Sequence, residues 1–105
     1  MDVALGPADL GEGDLRPFEV AGRYVLVARI SGALHAIDDL CNHAGCLLSG
    51  GWTDGTTIIC PCHEYRFDLL TGQNVTFPRL CGDQAVFPLR VEGGQIVVTL
   101  PEGAR

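Results

Sequence analysis

The sequence predicts an all-β protein. Two observations carry that reading. Apolar residues fall in short alternating or continuous runs, and turn dipeptides such as Ser31-Gly32, Asp54-Gly55 and Gly93-Gly94 separate those runs. The composition agrees: 14 Gly and 6 Pro in 105 residues of 47% hydrophobic content suit a folded chain rich in turns. At this length we expect one small domain, 1–105, with a modest core.

Arg16-Pro17-Phe18-Glu19-Val20 alternates and reads as a strand, and Gly22 punctuates before the next one. Tyr24 to Ile30 is a run of β-formers, continuous enough to be buried on both sides. Ser31-Gly32 reads as a two-residue hairpin turn into Ala33–Ile37. A loop follows over Cys41–Leu48, and Asp54-Gly55 turns into Thr56–Ile59. Tyr65–Asp68 returns as a strand and Thr71-Gly72 turns it. The last hairpin is expected from Ala85–Glu92 and Gln95–Leu100 across Gly93-Gly94. One short helical turn is expected, over Pro7-Ala8-Asp9-Leu10.

Composition excludes several function classes. The net charge is −6, with 13 acidic residues against 7 Arg and no Lys, so no basic stripe for nucleic acid exists. The acidic balance serves solubility, or steers the chain toward a partner with a basic rim. No uninterrupted apolar stretch reaches the roughly eighteen residues of a membrane helix. Met1-Asp2-Val3 lacks the regions of a signal peptide, so a cytoplasmic location is expected, with no membrane partner. No Ser-His-Asp arrangement, phosphate loop or paired carboxylate motif is visible, and no further ligand set suits mononuclear iron.

The chemistry lies in two clusters, Cys41-Asn42-His43 and Cys60-Pro61-Cys62-His63. Each supplies one Cys and one His from a tight turn. Two thiolates and two imidazoles suit a binuclear iron–sulfur centre of mixed ligation, the two Cys on one iron and the two His on the other. The alternative is tetrahedral zinc, which uses the same donors. Zinc motifs usually separate paired ligands by two to four residues and often continue into a helix. Here the first pair is one residue apart, each half mixes Cys with His, and the segment after His63 reads as strand.

Leu40–Gly45, Leu48-Ser49, Gly51, Cys60–His63, Arg66-Phe67-Asp68 and Thr71-Gly72 together resemble the Rieske ferredoxins of bacterial oxygenase systems. The resemblance runs from about Ala8 to about Val98. It implies small antiparallel sheets with two cluster-binding loops at one tip, and one [2Fe–2S] cluster per chain held by Cys41, His43, Cys60 and His63. It further implies a one-electron carrier that is no enzyme by itself. Such a carrier is a monomer that takes electrons from a flavin-containing ferredoxin reductase and passes them to a terminal oxygenase, most simply a ring-hydroxylating dioxygenase. The alternatives are a small subunit of a larger reductase, such as assimilatory nitrite reductase, and a thiol-based redox sensor.

Several positions depart from that pattern. Cys46 and Cys62 occupy the places where high-potential Rieske proteins carry a disulfide between the two loops, a pair that oxygenase ferredoxins usually lack. A loop-stapling disulfide, a reduced dithiol and extra metal ligands are the competing readings, and a reducing cytoplasm weighs against the first. High-potential members also place a Ser hydroxyl and a Tyr hydroxyl near the cluster sulfurs. The matching positions here are Tyr65 and Phe67, which implies a potential in the lower half of the Rieske range. Glu64 stands where the family usually has Gly; it is either a poor fit to a φ > 0 position or a solvated rim charge. Phe77-Pro78 matches a loop that covers the cluster. Leu47 and Trp52 are candidates to shield it, with an ordinary core role the alternative for Trp52. Gly45 and Gly72 are expected to meet backbone demands, His35 to be structural, and Cys81 to be a small buried hydrophobe.

Overall fold

The computed structural model describes residues 1–20, 22–41, 46–62, 64–76 and 83–101. Among the described residues ten strands follow one another: β1 Asp2–Pro7, β2 Leu15–Val20, β3 Arg23–Ile30, β4 Ala33–Asp38, β5 Trp52–Asp54, β6 Thr57–Ile59, β7 Arg66–Asp68, β8 Val86–Phe87, β9 Leu89–Glu92 and β10 Gln95–Thr99. One 3₁₀ turn, Leu48–Gly50, precedes β5. The strands form three antiparallel sheets ordered β1-β10-β9, β2-β3-β4-β8 and β5-β6-β7.

The run in β3 explains how these sheets stack. Successive side chains of a strand point to opposite faces, and β3 is buried on both. Leu26, Ala28 and Ile30 face one core with Ile37, Leu48, Ile58, Phe67 and Leu69. Val25 and Val27 face a second core with Phe87, Ile96, Val98 and Leu100. The four-stranded sheet therefore stands between the other two. Cys41 and Cys60 belong to the first core.

Three local expectations are corrected. No helical turn forms over Pro7–Leu10. Pro7 ends β1 opposite Gln95, and the Ala8 N–H donates to the Gly94 carbonyl at 2.9 Å. The carbonyls of Ala8 and Leu10, which a helix would have used internally, accept from the Arg29 guanidinium at 3.3 and 2.6 Å. Ala85–Glu92 is not one strand. Pro88 has no N–H to donate to a ladder, and the chain changes sheets there: β8 pairs with β4, and β9 with β10. Trp52 takes no core role. It is 48% exposed, because its place opposite Ile59 in the edge strand β5 points it outward.

Candidate metal centre

Cys41 leaves the end of β4 and Cys60 leaves the end of β6, so each cysteine heads a loop that grows from a strand of the first core. The two loops close identically. The Cys41 N–H donates to the Cys46 carbonyl at 2.7 Å, and the Cys60 N–H donates to the Tyr65 carbonyl at 2.8 Å. A bridge between Leu40 and Leu47 continues the first pairing, and Ile59 opposite Arg66 continues the second. Both cysteine side chains are 1% exposed among apolar neighbours. Two buried thiols at the heads of matched loops suit a metal centre. Thiolates there would be neutralised by iron rather than left as buried charges.

The remaining residues of the sequence pattern divide in two. His43, His63, Gly45, Phe77-Pro78 and Cys81 lie outside the described residues. Cys46 and Cys62 are brought together, with Cα atoms 6.4 Å apart and a disulfide between them. That separation is within the range a disulfide spans. Cys62 is exposed and Cys46 half-buried. Leu47 is 40% exposed beside the first loop. His35 lies on β4 opposite Ala28, in the wall of a cavity of about 410 Å³ with Leu69, Leu70 and Phe87.

The Arg66-Phe67-Asp68 motif acquires a physical meaning. Arg66 pairs with Asp54 across the sheet at 2.9 Å. Phe67, with no exposed surface, packs in the core that holds both cysteines. The Asp68 carboxylate accepts from the Leu70 N–H at 2.7 Å and shapes the turn that follows. Tyr65 is half-buried against the same core.

Two supports of the first loop carried no sequence signal of their role. The Asp39 carboxylate accepts from the Ser49 N–H at 2.6 Å and the Ser49 hydroxyl at 2.7 Å, which clamps both ends of the loop. Burial pushes the Asp39 carboxyl above its ordinary range, while the Ser49 donors act in the opposite direction. The second support is Gln84. Its buried amide donates to the carbonyls of Asp38 at 2.7 Å and Leu40 at 2.9 Å, the strand end that delivers Cys41. The Gln84 N–H donates to the Gly72 carbonyl at 2.7 Å, so one residue ties the base of the first loop to the turn after β7. Gly72 has φ +79° and lies so close that a Cβ there would overlap the Gln84 carbonyl.

Glu64 has φ +57°. The turn does need the left-handed region, and a non-glycine residue there costs about 1–2 kcal/mol. The Glu64 N–H donates to the Cys60 carbonyl at 2.9 Å, which fixes that conformation, and the side chain is exposed.

The chain matches the Rieske [2Fe–2S] domain family over residues 2–88. It belongs to that family. Its cofactor is accordingly a [2Fe–2S] cluster rather than zinc. This Rieske protein is 32% identical over 92 residues to the ferredoxin component of the naphthalene 1,2-dioxygenase/salicylate 5-hydroxylase systems of a Ralstonia species, covering 88% of each chain. Its fold is similar to the ferredoxin of Sphingomonas yanoikuyae B1, with a TM-score of 0.86, 27% identity, and coverage of 96% of this chain and 100% of that one. It also resembles a chain in the complex of reduced oxygenase and oxidized ferredoxin of carbazole 1,9a-dioxygenase. There the TM-score is 0.79 at 29% identity, over 94% of this chain and 100% of that one. Among the described residues no helix is long and apolar enough to cross a membrane.

Proposed function

We propose that this Rieske protein is a cytoplasmic, monomeric electron carrier of a multicomponent oxygenase. It accepts one electron from a flavin-containing reductase and delivers it to a terminal oxygenase of the ring-hydroxylating class, and it turns over no substrate itself. The observation that carries the reading is the pair of buried thiols, Cys41 and Cys60, at the heads of two identically closed loops. The near full-length likeness to ferredoxin components of dioxygenase systems supports the role. Pairing of β1 with β10 supports one folding unit over 1–105, since it knits the two ends of the chain together.

In this reading Cys41 and Cys60 bind as thiolates, and His43 and His63 complete the ligand set. The cluster supplies reversible one-electron transfer when bound. The apolar core around the cysteines excludes water, and the Cys46–Cys62 bridge staples the two loops together. Anaerobically purified protein is expected to contain about two irons and two sulfides per chain. It should be reduced by one electron and reoxidised by an oxygenase component. Stoichiometric zinc without iron overturns the reading.

The potential should fall in the lower half of the Rieske range, roughly −150 to +300 mV. Phe67 has no group to donate to a sulfur, and Tyr65 stands where high-potential relatives have Ser. Installing both hydroxyls, Tyr65→Ser with Phe67→Tyr, should raise the potential by tens of millivolts, where about 60 mV is a tenfold step for one electron. Voltammetry checks it. A wild-type value above about +200 mV, or no rise in the double variant, defeats the hydrogen-bond argument.

A further inference from the structure

We propose that the Cys46–Cys62 bridge is a thiol–disulfide exchange site. An external dithiol opens it through Cys62, and opening frees the two cluster loops from each other and makes the cluster labile. The inference rests on the carrier role above and adds a regulated state to that carrier's own site.

The first observation is what the bridge joins. Backbone hydrogen bonds close each loop on itself. In the first, Cys41 donates to the Cys46 carbonyl and Leu48 to the Asp39 carbonyl. In the second, Cys60 donates to the Tyr65 carbonyl and Glu64 to the Cys60 carbonyl. The Cys46–Cys62 bond crosses between the loops and links positions 16 residues apart. Both its ends lie next to a donor. The Cys46 carbonyl is the one that holds the Cys41 N–H, and Cys62 stands two places after Cys60. Breaking the bridge leaves each loop closed but removes a covalent tie that keeps their two cysteine donors together.

The second observation is access. Cys46 is half-buried and packs against the first core, whereas Cys62 is exposed between exposed Pro61 and Glu64. Exposed disulfides are the labile and regulatory ones, and those that serve only as staples resist reduction. Compartment points the same way. The cytoplasm proposed above keeps thiols reduced, and a disulfide found there is mostly transient, catalytic or sensing. An exposed bridge between two ligand loops fits exchange in that setting better than permanent stapling.

The exchange balances without the cluster. One thiolate of the dithiol attacks the Cys62 Sγ, the S–S bond breaks, and Cys46 leaves as a thiolate that takes up a proton. The second thiol of the reagent then attacks the mixed disulfide and releases Cys62 as a thiol. Two electrons and two protons pass from the dithiol to the bridge, and the reagent departs as a disulfide. The buried Cys41 and Cys60 take no part.

The test equilibrates cluster-loaded protein anaerobically with equimolar reduced and oxidised thioredoxin, and in parallel with dihydrolipoamide and lipoamide. Alkylation and peptide mapping then count opened bridges at Cys46 and Cys62. An exchange site should be at least about half open with thioredoxin, where a permanent staple stays about nine-tenths closed. Opening by either couple supports the proposal, and the couple that opens it tells a protein dithiol from a small one. Iron release to ferrozine should be at least about tenfold faster from the opened protein, and reclosing with the oxidised couple should restore the slow rate. Cys46→Ser should release iron at the opened rate whether or not a dithiol is present. A bridge that stays closed to both couples overturns the proposal, as does an unchanged release rate after opening. Faster release from Cys46→Ser on adding dithiol also overturns it, because the reagent then attacks the cluster itself. The wild-type comparison stands alone if that variant does not fold. A wild-type chain without iron, or one that no oxygenase component reoxidises, defeats the carrier reading instead, and iron analysis and reoxidation read that separately.

Discussion

Replacing Cys60 or Cys41 by serine is expected to give colourless protein, with iron falling from about two per chain to near zero. Both side chains are 1% exposed among Leu26, Ile58, Phe67 and Leu69. A serine there leaves a hydroxyl in an apolar core and removes the thiolate, and binding free energy lost at a metal centre is folding free energy lost. The thermal midpoint should fall with the colour. Two comparisons separate ligation from general damage. Cys46→Ser removes the bridge to Cys62, which closes a loop of 16 residues. It should cost about 3 kcal/mol yet leave the iron in place. His35→Ala, on β4 facing the cavity, should keep both iron and potential. Iron analysis with visible spectroscopy reads all three. Retention of the cluster in Cys60→Ser, or its loss in His35→Ala, would mean the ligands are misassigned.

Gly72→Ala should be among the most destabilising single-methyl changes in the molecule. Its φ of +79° penalises any Cβ, and the added atom would overlap the Gln84 carbonyl oxygen, 3.0 Å from the carbonyl carbon and 3.2 Å from Val86 Cγ1. Gln84 cannot step aside cheaply, because its amide holds Asp38 and Leu40 and its N–H holds Gly72. Conformational strain and the displaced hydrogen bonds together should cost on the order of 3–5 kcal/mol. Gly55→Ala isolates the first part. Its φ is +62°, but nothing lies within 4 Å of the Cβ position, so about 1 kcal/mol is expected. Denaturant midpoints of the two variants measure the difference. Equal losses would show that Gln84 is not a rigid brace.

Local chemistry made much of this protein readable in its residues. The continuous apolar run of β3 announces burial on both faces, since period-two geometry sends Leu26 and Val27 to different cores whatever surrounds them. Dipeptides with φ > 0 options, such as Ser31-Gly32 and Gly93-Gly94, specify hairpins through backbone sterics alone. The Cys-x-His and Cys-x-x-His spacings specify a donor set because ligand type and separation are properties of the chain.

Other features depended on contacts distant in sequence. Pro7–Leu10 has the composition of a helix start, but Gly94 in the last hairpin turn and Arg29 on β3 satisfy its backbone groups. Trp52 has the composition of a core residue, but an edge strand turned it to solvent. Gln84 looks like any polar loop residue until the fold brings it against Asp38, Leu40 and Gly72. By itself, then, the sequence determined strands β2, β3, β4, β6, β7 and β10 with their turns, and it offered a Cys/His donor set, all governed by interactions within a few residues; β1, β5 and the break at Pro88 carried no such local signal. Only the tertiary structure decided which carbonyls would meet which donors and how the two loops are braced. Those outcomes turn on pairings between segments tens of residues apart, which no local propensity encodes.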